Sequence, residues 1–458
     1  MHVQVSLKIE ISATASLTEM EQQIQEVGQQ AMRETLKQVI RHWEDQQQAC
    51  PHCGATQRRL EGTVRRVIAT TFGRVGVPRR RFRCQGCGQR WCPATSLFRE
   101  LKGGTISQPL QEAALLAACS WPYRVAASLL KRLSGAQISA EEIRLLTNRG
   151  GKQRAMQKQA EAEQACSSLA QAVPQAETTE TAQLASASHP EQPMLLGMDG
   201  GWVCSYEQRG GMEGKVAVVC SQVEDLPMPT YCPTFADWRH RAPRHPPKQR
   251  HRLARRRYVA TFGPSKQIGQ QAKVAGQSLC DDLARPVVLI ADGAEWIKQE
   301  QGKHFPHATC ILDWAHLWRE VRGAISAAAR GKPLSASERD YQLFVHRSWL
   351  WHGNVDQAVH GLRRLAAGLP AEALRPLKEA ISYLEHQHPW IGSYERWKAQ
   401  GYPVGSGMIE RAVALVINRR MKKRGMRWKR ANGTAIVALR TDLLNDDWVT
   451  PQRLRAFP

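Results

Sequence analysis

The chain has 458 residues, with 64 Lys and Arg against 41 Asp and Glu, giving a formal net charge of +23. That length leaves room for about two to four domains with a sizeable core, and so large a basic surplus matches a polyanion, nucleic acid ahead of an anionic membrane surface. The longest apolar run, residues 113–119, is far too short to span a bilayer, and no basic-then-apolar leader opens the chain, so a cytoplasmic protein without a membrane partner is expected. In that compartment the 12 cysteines read as metal ligands or buried thiols rather than disulfides.

In chain order, Val3, Val5, Leu7, Ile9 and Ile11 alternate with polar residues as in a strand. Thr18 and Glu21 then form a capping box for an amphipathic helix. Next come two pairs, Cys50-Pro-His-Cys53 and Cys84-Gln-Gly-Cys87, enclosing 30 residues. Each pair sets two sulfurs on one tight turn, and two such turns suit a closed, structural, tetrahedral zinc site. His52 and Cys92 are less natural substitutes as ligands. Residues 60–71 and 75–84 can pair as a hairpin around Phe72-Gly73-Arg74. This predicted zinc ribbon is dense in arginine, with Arg79, Arg80 and Arg81 as phosphate-contact candidates.

Residues 107–148 read as three short helices, 111–119, 123–133 and 140–148, the last capped by Ser139. They fit either a helix-turn-helix, with the third helix as reader, or a plain packing module. Residues 173–193 are Ala, Thr, Ser, Glu and Pro with almost no large apolar side chain, which predicts a linker. Strands follow at 195–204, 215–223, 257–262, 287–291 and 308–312, with helices at 266–283 and 294–301. A nearly all-helical block spans 313–388, and a helix over 408–424 carries Glu410 near its start. Strands first and a helical block later indicate a mixed α/β domain with a helical insertion.

Two of these strands end on a carboxylate. Met194-Leu-Leu-Gly-Met-Asp-Gly-Gly-Trp202 delivers Asp199, and Val287-Val-Leu-Ile-Ala-Asp-Gly-Ala-Glu-Trp296 delivers Asp292. Either Asp alone can be a helix cap. As a pair on neighbouring strands they would emerge at one edge, where hard oxygen ligands favour Mg²⁺ or Mn²⁺. Two such ions would activate a water or hydroxyl for attack on a phosphodiester. Glu410, after the Gly405-Ser406-Gly407 turn, is the candidate third acid; its bland reading is a Glu favoured by the helix dipole.

Together the ribbon, the two Asp-Gly strands, Leu312-Asp-Trp-Ala-His316 and Gly405-Ser-Gly-Met-Ile-Glu410 resemble bacterial insertion-sequence transposases of the ISKra type, in order over residues 50–450. The resemblance implies a DDE transposase with a ribonuclease-H-like core, Asp199, Asp292 and Glu410 as the catalytic, metal-holding acids, and residues 313–388 as an inserted helical domain. It also implies an accessory role for Asp313 and His316, against the alternative of a capped helix start. The implied partners are transposon ends and target duplex, handled by a homo-oligomer on DNA. The expected division is 1–48 strand and helix, 49–100 zinc ribbon, 101–172 helical DNA-binding module and 173–193 linker. Core follows at 194–312, helical insertion at 313–400, and the last part of the core at 401–458.

Two acid-poor stretches complete the DNA-contact candidates. Residues 238–257 hold nine Arg or Lys, including Arg255, Arg256 and Arg257, and no acid. Residues 419–430 hold eight basic residues in twelve, among them Lys422, Lys423, Arg424, Arg427, Lys429 and Arg430, with Trp428 placed to stack on an exposed base. One helix continuing from Glu410 is expected to carry them. The rival readings are a zinc-ribbon regulator whose acids are caps, and a metal nuclease that cuts without joining.

Overall fold

A computed structural model of the chain describes residues 6–101, 103–172, 193–226, 250–279, 285–332 and 334–448. The described residues divide into two compact units, one up to residue 151 and the other from residue 152 to residue 448.

The first unit opens with helix α1 (Leu17–Gln46). Residues 6–11 are not a strand, and Ser16 with Glu19, not Thr18 with Glu21, makes the capping box. Residues 3–5 of the expected strand lie outside the described residues, and 6–11 have no partner strand among those described, which leaves their backbone groups without a ladder. β1 (Arg58–Thr70) pairs antiparallel with β2 (Gly73–Cys84), and β3 (Arg90–Trp91) adds a short third strand on β2. The hairpin is as the sequence predicts, but it does not stand alone. Ile40 of α1 joins Ile68, Val75, Val77, Phe98 and Leu101 in one buried cluster. Buried Glu44 of α1 accepts from the Arg80 backbone N–H and Nε, both at 3.1 Å. Helices α2 (Gln108–Ser120), α3 (Tyr123–Ser134) and α4 (Ala140–Ala172) follow, and Ser139 does cap α4, which runs on unbroken where the sequence suggested a short reader helix.

The second unit is built on a five-stranded mixed sheet. Its strands are β4 (Met194–Val203), β5 (Met212–Leu226), β6 (Arg250–Thr261), β7 (Val287–Ala291) and β8 (Thr309–Leu312), in the order β6-β5-β4-β7-β8. The first three pair antiparallel, whereas β7 runs parallel to β4 and β8 parallel to β7. β4 and β7 are apolar on both faces because helices cover both sides.

Helices α5 (Ser265–Gln277), α6 (Glu295–His304), α7 (Trp314–Gly331), α8 (Ala336–Trp351), α9 (Val355–Ala366) and α10 (Ala371–Gln387) share a single core with the sheet. The helical block expected as an inserted domain is thus part of the sheet's own core: Leu317, Val321, Leu362, Leu377 and Leu384 are buried with Leu196 and Leu289. After α11 (Tyr394–Ala399), a second core on β4, β5 and β6 is closed by α12 (Gly407–Val413), a π-helical turn (Ala414–Asn418), α13 (Arg419–Met421) and α14 (Arg430–Leu444). A π turn leaves backbone carbonyls off the regular ladder; buried Arg440 donates from Nε to Leu415 O at 2.6 Å. No helix of the described residues is long and apolar enough to cross a membrane.

Candidate functional site

The cysteines come together as their spacing requires. Cys50, Cys53, Cys84 and Cys87 place their sulfurs within 4.8 Å of one another, with Cys50–Cys87 at 3.8 Å and Cys53–Cys84 at 3.5 Å. A tetrahedron of sulfurs about 2.3 Å from a central zinc has edges of about 3.8 Å, so the group already has zinc-site dimensions. Each knuckle ends on a glycine in the left-handed region, Gly54 at φ 73° and Gly88 at φ 72°, where a side chain would be strained. His52 and Cys92 stand outside the group.

Strand register assembles the carboxylates. Met194 pairs with Val287 and Gly197 with Ile290, so two further steps bring Asp199 level with Asp292. Ala291 pairs with Leu312, so one further step brings Asp292 level with Asp313, whose N–H donates to Ala291 O at 2.9 Å. Glycines set the fourth acid. Gly197, Asp199 and Gly201 alternate onto one face of β4. A Cβ on Gly197 would lie 2.9 Å from Ile409 Cβ, and one on Gly201 would lie 2.9 Å from Ile417 Cδ1. Without side chains there, α12 approaches the strand closely, which lays Glu410 on the Asp199 face. Asp199, Asp292 and Glu410 thereby come near enough for their charges to interact, although β4 runs on to Val203, so Asp199 lies within its strand and not at the end the sequence suggested.

Asp313, His316 and Glu410 form the tightest part, with one ligand atom each within 4.8 Å of the others; Asp199 and Asp292 are outside that group but near enough for charge interaction with its members. Asp313 is fully buried. Its Oδ1 accepts from Ser406 N–H (2.9 Å) and Ala315 N–H (3.3 Å). Its Oδ2 accepts from His316 N–H (3.1 Å) and faces His316 Nδ1. Four partners fill the acceptor positions of a carboxylate, so Asp313 is an anchor rather than a free ligand. Ser406, itself buried, donates from Oγ to Glu410 Oε1 at 2.8 Å. One buried carboxylate therefore fixes both His316 and the turn that aims Glu410.

Charge is crowded here. Burial, then repulsion from Asp292 and Glu410, pushes the Asp199 carboxyl up to about 6 against the pull of the Gly200 N–H and His316. The hydrogen bond to Asp313 pushes the His316 imidazole up, and the Asp313 carboxyl, despite burial, is held down by His316 and Ser406. Half-buried carboxylates that repel one another fit a site completed by a cation.

The helical block grips both strand ends. Buried Gln387 at the end of α10 donates from Nε2 to Gly293 O at 3.0 Å, just after Asp292. Tyr394 OH donates to Leu312 O at 2.9 Å, just before Asp313. Sequence reading missed Ser406, Gln387 and Tyr394. Only Ser406 carried a signal: a hydroxyl four residues before a helical Glu lies on the same helix face.

Several DNA-contact candidates are placed otherwise than expected. Trp428 is 6% exposed, donates from Nε1 to Met421 O at 3.2 Å and lies under Arg420, so it is core and not a stacking surface. The expected continuing helix stops at Met421, and the turn after it carries Lys422, Lys423, Arg424 and Arg427, all exposed. Lys429 is exposed at the start of α14, while Arg430 donates to Phe262 O at 2.6 Å. Arg80 is turned inward onto Glu44 and Asp45, and Arg79 lies over the Phe98 ring; Arg81 stays exposed. Of the earlier basic stretch, 238–249 lies outside the described residues. Arg255 and Arg256 are exposed on edge strand β6, and Arg257 pairs with Asp447 at 2.7 Å. Cations on an edge strand also block edge-to-edge pairing, which is a sufficient reason for them there.

No family model matches the sequence, and no curated protein matches it significantly.

Proposed function

We propose that this chain is a metal-dependent DNA-cutting and DNA-joining enzyme, a transposase acting at the ends of a mobile element. The observation that carries the reading is the level placement of Asp199 and Asp292 on adjacent parallel strands, with Glu410 laid against them across two glycines. The strand order, with three antiparallel strands followed by two parallel ones, is what a ribonuclease-H-like core requires, and the +23 charge supplies the affinity for DNA. A zinc held by the four cysteines would stabilise the ribbon as a structural, closed site.

Asp199, Asp292 and Glu410 would hold Mg²⁺ or Mn²⁺, and His316 Nε2, left free by the Nδ1 contact to Asp313, is a fourth donor. A divalent cation bound there supplies the Lewis acid that makes a water or a 3′-hydroxyl a nucleophile and stabilises the leaving oxygen. The chain's part is positional and electrostatic. Asp313 and Ser406 fix Glu410, Gln387 and Tyr394 fix the strand ends, and Asp313 fixes the His316 ring through Nδ1. The exposed Lys422–Lys423–Arg424 turn would take the backbone of the duplex.

The test is cleavage and strand transfer on DNA carrying the element's ends, with and without Mg²⁺. Asp199→Asn, Asp292→Asn and Glu410→Gln should each abolish metal-dependent cutting, by at least about a thousandfold, while leaving DNA binding near wild type. Normal cutting by all three variants would return the acids to the role of caps. Cutting without strand transfer would make the protein a nuclease.

A further inference from the structure

The basic stretch 419–430 loses its interleaved tryptophan to the core, but the backbone shows what replaces it. Ser205 and Trp428 form an isolated parallel bridge, fixed by Trp428 N–H to Cys204 O (3.0 Å) and Tyr206 N–H to Trp428 O (3.1 Å). Bridge partners point to the same side, and side chains alternate along extended backbone. Buried Ser205 and Trp428 share the inner side, so their neighbours share the outer one: Arg427 beside Cys204, and Lys429 beside Tyr206, all exposed. The alternation runs back along β4, where Val203 is buried and Trp202 exposed. Trp202 is 55% exposed and Tyr206 67%, on the same outward side. Four residues of extended chain separate them by about 13 Å. Glu207 and Glu213 lie beside this face and both are engaged: the Glu207 carboxylate accepts from the Arg430 backbone N–H at 2.8 Å, and Glu213, the register partner of Trp202, pairs with Lys215 at 3.4 Å.

Single exposed aromatics need no explanation. Two on one side of one strand, paired across a bridge with a row of cations, match the chemistry of an unpaired nucleic-acid strand: flat apolar faces for bases and positive charge for phosphates. We infer that Trp202 and Tyr206 form a stacking platform for unpaired bases, with Arg427 and Lys429 taking the phosphates. Trp202 lies about 10 Å along β4 from Asp199 and on the opposite side of the strand, so the platform holds bases flanking the cut rather than the one being cut. The inference rests on the DNA-cutting reading for its choice of strand, but its test reads binding alone.

The experiment measures binding of the full chain, by fluorescence polarisation, to an oligodeoxythymidine of about 12 nucleotides and to a duplex of equal length. Trp202→Ala and Tyr206→Ala should each weaken oligodeoxythymidine binding by at least about fivefold and change duplex binding by less than about twofold. Tyr206→Phe, which keeps the ring, should bind like wild type. Equal oligodeoxythymidine binding by the double alanine variant and wild type would overturn the platform, and if that variant still cuts with metal the DNA-cutting reading stands. If the double variant instead lowers the molar mass of the free protein in sedimentation, the patch is a contact between copies and the proposal falls. A wild type that binds neither DNA would overturn both readings.

Discussion

The two ligand clusters of this protein are built in opposite ways. The cysteine cluster is local: two Cys-x-x-Cys turns, each closed by its own glycine, bring four sulfurs to zinc-site spacing across one hairpin. The carboxylate cluster is assembled from chain segments far apart in sequence, by strand register, by a helix laid on glycines and by side chains from the helical block. In the first, every group in the cluster is a candidate ligand. In the second, the most buried acid, Asp313, is saturated by its neighbours, while Asp199 is left repelled and half-buried. A closed site spends all its donors on the ion, whereas an open one needs a second set of groups to hold the first in place.

The largest expected effect breaks the local cluster. Cys84→Ser with Cys87→Ser should take bound zinc, measured on the purified protein, from about one per chain to none. The α1–β1–β2 core of Ile40, Val75, Val77 and Phe98 does not touch the knuckles' chemistry, so the loss should open the knuckle end to protease and leave that core folded. Wild type that carries no zinc while its knuckles resist protease would remove zinc from the account.

The next effect separates anchor from ligand. Asp313→Ala strands three backbone N–H groups and the His316 ring, so it should cost about 3 kcal/mol or more of stability in a denaturant titration and also abolish metal-dependent cutting. Asp199→Asn should abolish cutting yet, without metal, melt no lower than wild type, because it removes a charge that burial and two neighbouring acids oppose. If Asp313→Ala is as stable as wild type, the buried carboxylate is not the anchor its hydrogen bonds describe.

The same contrast explains what the sequence could disclose. The four cysteines were readable because ligand spacing and turn geometry are one local fact. β7 ends where its apolar run ends, and the Asp292 tip was readable because a buried parallel strand is continuously apolar up to its working end, whereas Asp199 lies inside β4, which runs on to Val203. The anchors were not readable. Gln387 ends a helix of the block, and nothing in its neighbourhood marks it as the partner of Gly293. Trp428 misled because an aromatic between cations looks exposed; only the bridge to Ser205 shows which alternate residues face inward. The π turn hides for a similar reason, since its carbonyl is satisfied by Arg440 from another helix.

The smallest effect is the finest test of how Glu410 is held. Ser406 sits where a helix cap would be, yet its hydroxyl makes no cap bond and donates to Glu410 Oε1 instead. Removing it costs one hydrogen bond, about 1 kcal/mol of stability, because the exposed Glu410 carboxylate can turn to water. Its effect on metal should be larger than its effect on the fold, since a freely rotating carboxylate has to be ordered again each time an ion binds. Losing such an outer partner typically weakens metal affinity by about 10- to 100-fold. Ser406→Ala should therefore lower Mn²⁺ affinity by about tenfold, read directly by paramagnetic resonance, with melting almost unchanged. Ser406→Thr keeps the hydroxyl and should recover most of that affinity. The backbone N–H to Asp313 survives in both variants, so any difference between them reports the hydroxyl alone. Equal Mn²⁺ affinity in alanine variant and wild type would mean that Glu410 takes its direction from α12 and the glycines beneath it, and not from Ser406.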